Sequence, residues 1–291
     1  MTASRRLIVN ADGFGLSAGT NRAIMECLAA GFVRSTSVNV NFPAAEAVPD
    51  LVREFPKVSA GLHLNLAVGR PVCAPDQVAS LVDDQGLFWD TGFRRRLLHG
   101  RIRAAHLRRE IEAQFLRMRE LAGEITHRDG HRNEHLLPGY FENALRVAQV
   151  FGVRRMRCHR HRIYLGLRGG AWSHRAHYVR RPGRALRHSI SGCRTVQARW
   201  AGMRTADRLI TPAKVSRESC KPERVMWESL VAWLPPGTSE IYCHPGYPDA
   251  SLPEHARYVE PRRAEVAALS APGLVERARR EGVSPISFRE L

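Results

Sequence analysis

At 291 residues, with 44% hydrophobic and 25% charged side chains, the chain has the composition of a globular protein able to bury one large core or two smaller ones. No stretch approaches the roughly 18–20 uninterrupted apolar residues of a membrane span, and the opening MTASRRLIVNADGFG meets polar Asn10 and Asp12 too soon for a secretory leader, so a cytoplasmic location is expected. The formal charge of +17 is almost wholly arginine, since Lys57, Lys214 and Lys221 are the only lysines.

Arg6 to Asn10 is a short apolar run that reads as a buried first strand. Ser17 is placed to cap a helix running to about Ala30, with Gly31 at its end. Thr36 to Val40 reads as a second strand, Ala44 to Phe55 as a second helix, and Val58 to Leu66 as a third strand carrying His63. Strands alternating with helices imply parallel pairing, hence an α/β layer fold or barrel. After an irregular stretch from Gly69 to Gly100, Arg101 to Leu121 forms an amphipathic helix, and a strand near Ile125 to Asp129 opens a histidine-rich stretch. A helix is expected at Phe141 to Phe151 and a strand at Arg155 to Cys158. From 159 to 208 the pattern weakens, and this Arg-rich segment reads as an insertion or cap within one domain spanning 1–291. Helices at Pro222 to Leu234, Glu260 to Leu269 and Ala271 to Glu281, with strands at Glu240 to Cys243 and about Ile286 to Phe288, complete the expected layout.

The six cysteines, Cys27, Cys73, Cys158, Cys193, Cys220 and Cys243, form no Cys-x-x-Cys pair and read as reduced, mostly apolar side chains. The arginines gather at 94–109 and 154–208. Neither region has the interleaved aromatics of a single-strand binder, a helix-turn-helix or a zinc finger, so nucleic acid is not the expected partner. Peripheral contact with an anionic membrane is more plausible on charge, and a homo-oligomer is compatible with the sequence.

Four clusters fall just after expected strands, where parallel α/β folds assemble their sites. They are Asn10 to Gly15, Gly61 to Leu66, His127 to His135, and Cys243 to Tyr247. Singly, each has a plain structural reading. Asp12 suits a turn cap, His63 a satisfied core position, and His127, His131 and His135 a solvated loop. Together, a carboxylate and two imidazoles make a ligand set for Zn²⁺ or a related divalent ion, with positions left for water and substrate.

The ordered motifs resemble those of the YdjC-like family, which includes chitooligosaccharide deacetylases and hopanoid-biosynthesis-associated proteins. That family has Ala-Asp-Asp-Phe-Gly, then Gly-x-His-Leu, then Asp-[Gly/Ser]-His-x-His-x-His, then His-Pro-Gly. Here stand Ala11-Asp12-Gly13-Phe14-Gly15, Gly61-Leu62-His63-Leu64, Asp129-Gly130-His131-Arg132-Asn133-Glu134-His135 and His244-Pro245-Gly246. The resemblance covers nearly the whole chain. It implies a distorted NodB-like β/α barrel that removes an N-acetyl group from an acetylated amino sugar, such as an N-acetylglucosamine-containing carbohydrate or glycolipid, with a divalent metal ion (Zn²⁺ or Mg²⁺). By the same resemblance His63 and His131 are metal ligands, Asp12 the general base, and His244 the general acid or the group that orients the intermediate. Gly13 replaces the family's second aspartate and Asn133 the middle histidine. The loss of a carboxylate predicts a weakened metal site and leaves, as the alternative, a catalytically impaired sugar-binding member of the same fold.

Overall fold

The computed structural model describes residues 4–166, 171–212, 224–255 and 258–291. Its strands are β1 (Arg5–Phe14), β2 (Ser35–Val38), β3 (Ser59–Leu64), β4 (Arg128–Gly130), β5 (His161–Tyr164), β6 (Arg208–Pro212), β7 (Gly237–Cys243) and β8 (Val283–Ile286). The helices are α1 (Ala18–Ala29), α2 (Val48–Glu54), α3 (Phe93–Leu98), α4 (Ala104–Ala122), α5 (Tyr140–Val150), α6 (Ala171–Val179), α7 (Pro182–Trp200), α8 (Arg224–Trp233), α9 (Leu252–His255), α10 (Pro261–Leu269) and α11 (Leu274–Arg280).

The strands pair in parallel in the order β4-β3-β2-β1-β7-β6-β5, and β8 pairs with the first half of β1. β1 is central: eight of its ten residues are buried, as expected of a strand covered on both faces. It runs beside β7 from Arg5 opposite Gly237 to Ala11 opposite Cys243. The seven-strand path curls into a half-barrel. Its two ends are drawn together where Arg128 N donates to Arg155 O (3.0 Å) and Arg157 N donates to Arg128 O (3.1 Å). The result is the distorted β/α barrel that the motifs imply. The main apolar core lies between the sheet and the helices, from Leu7 and Val9 through Phe115 and Met118 to Trp227 and Leu230.

Local chemistry explains most boundaries. Ser17 Oγ accepts from Thr20 N (3.2 Å) and starts α1, and Gly31 follows its end at φ +81°, a conformation that costs glycine little. The helix expected over Ala44 to Phe55 is split: a 3₁₀ turn at Pro43–Ala47 precedes α2, with Pro49 in α2's first turn, where its missing N–H is tolerated. The strand expected at Arg155 to Cys158 makes only isolated bridges, from Met156 to Arg128 and from Arg155 to Arg204. The regular strand in this part of the chain, β5, begins at His161. Residues 159–208, expected as an insertion or cap, hold β5, α6 and α7 and lead into β6; parallel strands need such a helical crossover. Cys27, Cys158 and Cys243 are buried, Cys73 is half-buried and Cys193 is exposed, all free; Cys220 lies outside the described residues.

Because the sheet is parallel, the C-terminal ends of its strands share one edge. That edge brings Asp12 of β1, His63 of β3, His131 just past β4 and His244 just past β7 to a single cavity of about 260 Å³.

Candidate active site

The floor of the cavity is organised by one arginine. Arg157 is 2% exposed, and its guanidinium meets three buried carboxylates. Nη1 and Nη2 donate to the two oxygens of Asp12 (2.7 and 2.6 Å), Nη2 also lies 2.6 Å from Asp129 Oδ2, and Nε donates to Glu240 Oε1 (2.9 Å). This planar fork against a carboxylate is a geometry that lysine cannot supply. Burial opposes the Arg157 charge, but Asp12 and Asp129 outweigh it and hold the pKa well above the ordinary arginine value. Glu240 is also fixed by Cys158 N (2.9 Å), yet burial pushes its pKa up to about 7. Asn10 Nδ2 donates to Asp12 Oδ1 (2.7 Å), two residues along the same strand.

His63 lies between the two aspartates. Its Nδ1 is 2.7 Å from Asp129 Oδ1 and 3.2 Å from Ser37 Oγ. Burial opposes protonation of His63, but the Asp129 carboxylate outweighs it and raises the pKa. For Asp129, burial acts upward, but Arg157 and His63 hold the carboxyl well below the usual carboxylate range. The His131 ring packs edge-on to His63 with centroids 5.6 Å apart. Its Nε2 is buried without a hydrogen-bond partner among the described residues, and burial, with His63 and Arg132 nearby, lowers its pKa well below the ordinary value. Arg132 and Asn133, which also line the cavity, both adopt left-handed backbone (φ +52° and +58°). Such conformations in non-glycine residues gather at functional sites.

The opposite wall comes from β7 and α10. His244 N donates to Glu265 Oε2 (2.5 Å), and Tyr258 OH donates to Glu265 Oε1 (2.7 Å). The His244 ring packs edge-on to Tyr242 and Tyr258, and burial pushes its pKa down to about 3 against the pull of Asp12. Arg262 completes the wall, its Nε donating to Tyr258 O (2.6 Å).

Asp12, His63 and Asp129 each offer a ligand atom, and these atoms all lie within 4.8 Å of one another. Their chemistry suits a metal ion. Three buried carboxylates face one guanidinium, and even with Glu240 pushed toward its neutral form, Asp12 and Asp129 together carry one negative charge more than Arg157 offsets. A proton on His63 partly fills that need, and a divalent ion fills it better. The unpartnered His131 Nε2 is a further nitrogen donor on the same cavity.

The profile of the YdjC-like protein family matches residues 6–280. The chain belongs to the YdjC-like family. Among its relatives, a carbohydrate deacetylase of Homo sapiens is 33% identical over 98% of this chain and 91% of its own length. One of Mus musculus is 35% identical over 84% of this chain and 78% of its own. A chitooligosaccharide deacetylase of Serratia marcescens is 30% identical, with 98% of each covered. The fold matches a crystal structure from Enterococcus faecalis, described provisionally as a cellobiose-phosphate cleavage protein, with a TM-score of 0.72, 21% identity and 99% of each chain covered.

Within this YdjC-like centre, the expected shortage of carboxylates does not arise. Gly13 contributes none, but Asp129, one strand over from His63, stands in the Asp12–His63 group, and the doubt about activity drawn from Gly13 loses its ground. Gly13 has its own structural reason: it forms a bulge where the β1–β2 register shifts, at φ +113°. His127 and His135 do not reach the cavity. His127 stacks on Phe288 (centroids 3.8 Å) and His135 Nε2 lies 3.3 Å from His159 Nε2, all three histidines buried. Arg157, Glu240, Tyr258, Arg262 and Glu265 also serve the site but lie outside the four motifs. Glu240 carried a signal, a carboxylate inside an otherwise strand-like run, which is rare unless the charge is paired.

Proposed function

We propose that this chain is a metal-dependent hydrolase that removes the N-acetyl group from an N-acetylglucosamine-containing carbohydrate or glycolipid. The observation that carries this reading is the buried Asp12–His63–Asp129 group, of which Asp12 and His63 line one cavity with His131 and His244. His63 and His131, with a carboxylate from the Asp12–Asp129 pair, would hold the ion. A bound divalent ion supplies Lewis acidity and a water of lowered pKa. Asp12, aimed by Arg157 and Asn10, takes the proton of the attacking water and passes it to the departing amine. His244 is neutral near pH 7, so it suits the orienting role: its ring N–H holds the amide while the C–N bond breaks. Tyr242, Tyr258 and Leu16 offer apolar faces to the sugar ring, and a cavity of this size receives the acetamido end of a substrate rather than a long chain.

Acetate release from N-acetylglucosamine oligomers and glycolipids, with added Zn²⁺ or Mg²⁺ or with chelator, tests the reading. Metal-dependent release is expected; none under any of these conditions would overturn it. His63→Ala and His131→Ala should each abolish tight divalent binding while the far-ultraviolet spectrum stays unchanged. Unaltered metal stoichiometry in both variants would remove the ligand assignment.

A contact with anionic membrane belongs to the same reading. No acidic residue occurs from 143 to 206, while fifteen arginines do, and the outer face of α7 exposes Leu186, Ile190 and Trp200. An apolar stripe within a basic segment suits an anionic lipid surface. Retention on phosphatidylglycerol vesicles at low salt, lost in Leu186→Ser/Trp200→Ser, is expected. Failure of such vesicles to retain the parent would end this part of the proposal.

A further inference from the structure

α10 carries Arg262, which lines the cavity, and Glu265 one helical turn further on. Glu265 is fully engaged: one oxygen accepts from His244 N and the other from Tyr258 OH. Arg262 is not. It is 3% exposed, its Nε is satisfied by Tyr258 O, and its Nη1 is buried with no hydrogen-bond partner among the described residues. A guanidinium does not shed its charge at any pH the protein survives, so of the acceptors that could meet this donor from outside, an anion gains most. The carboxylates nearby are already committed, Asp12 to both terminal nitrogens of Arg157 and Glu265 to His244 and Tyr258.

Gly13 keeps the approach to this donor open. A Cβ placed on Gly13 would stand 3.6 Å from Arg262 Nη1, so a carboxylate side chain there would reach the guanidinium and cover it. The absence of a side chain at 13 and the free nitrogen of Arg262 are two sides of one feature, a small space beside Asp12 and His244 bounded by a positive donor.

We propose that Arg262 Nη1 is the anion-binding donor of the cavity and that its ligand is a small carboxylate, the acetate formed when the amide is cleaved. The choice of acetate rests on the deacetylase reading above; the anion site itself rests on Arg262 and Gly13. Amide hydrolysis turns a neutral acetyl group into a carboxylate, so the donor meets its partner late in the reaction and product acetate competes with substrate.

Binding of [1-¹³C]acetate to the full-length protein, followed by NMR titration, tests this, with acetamide as the neutral isostere. Each titration is run with and without chelator, so that acetate held by a metal is told apart from acetate held by Arg262. The expected result is saturable acetate binding that survives chelation, at least tenfold tighter than acetamide. Arg262→Met should weaken it at least tenfold at unchanged metal stoichiometry, and Arg262→Lys should restore part of it. Gly13→Asp, if folded by its thermal transition, should also lose acetate, because the new carboxylate pairs with Arg262. Equal affinity for acetate and acetamide, or an Arg262→Met protein that binds acetate as the parent does, overturns the proposal. Chelator-resistant binding that needs Arg262, in a protein that deacetylates no sugar, supports the anion site and removes the deacetylase reading instead.

Discussion

Arg157 is surrounded by Asp12, Asp129 and Glu240, and no other cation among the described residues lies within ion-pair distance of all three. Removing one partner of a buried ionic group leaves the others charged and desolvated, at a cost of about 3–5 kcal/mol. Arg157→Met should therefore lower the unfolding free energy by about that amount in urea titrations. Arg157→Lys should recover only part, because an ammonium cannot serve Asp12 with two parallel donors. A Met variant as stable as the parent would show that the carboxylates take up protons at little cost. This residue was not legible beforehand because nothing in Met156-Arg157-Cys158 sets its arginine apart from the many others between 154 and 208. What distinguishes it is convergence of three strands, β1, β4 and β7, which no local window contains. Asp12, His63, His131 and His244 were legible because each follows a strand in a recognisable motif.

At the scale of elements, β1 joins fold and site. Its first half is a regular ladder with β7 and β8; its end is bent by the bulge at Gly13, which turns the chain beyond Asp12 toward α1. At φ +113° any side chain is strained, and a Cβ at residue 13 would come within 3.1 Å of Leu16 Cδ1. Gly13→Ala should cost about 1–3 kcal/mol, read as a lowered denaturation midpoint. It should also lower the affinity for divalent metal, since Asp12 is the adjoining residue. An alanine variant of parental stability and metal affinity would mean that the bulge reforms elsewhere. The start and end of α1 were readable because a capping serine and a terminal glycine act locally. β5 was not foreseen, since it falls in the segment expected as an insertion, and the strand expected at Arg155 to Cys158 is reduced to isolated bridges because a strand's limits depend on its neighbours. Arg155 and Met156 have the composition of a strand, but the barrel gives them only single bridges.

For the whole molecule, the histidines set the response to acid. The spacing of His127, His131 and His135 is helical, but Asp129-Gly130 and the nearby proline suggested a solvated loop; instead His127, His135 and also His159 are packed inside the barrel, and of these only the loop's His131 lines the cavity. The sequence could not show this, since the burying surfaces come from Phe288 near the C-terminus and from the segment before β5. Burial, with the charge of His135 and His161 near it, holds the His159 pKa well below its ordinary value. Folded His159 thus stays neutral below pH 6.5, while the unfolded chain takes up a proton there. A group whose folded pKa is depressed adds stability above its unfolded pKa, and that contribution is lost as the pH falls. Between pH 6.5 and 5 the loss from one such histidine is at most about 1.5 kcal/mol. His159→Gln removes the titration while keeping a polar side chain for His135. The variant should be less stable than the parent at pH 7, and the gap should narrow, by up to about 1.5 kcal/mol, by pH 5 in parallel urea titrations. A gap that is constant with pH would mean that His159 takes up a proton within the folded barrel, and that the pair it forms with His135 already carries charge there.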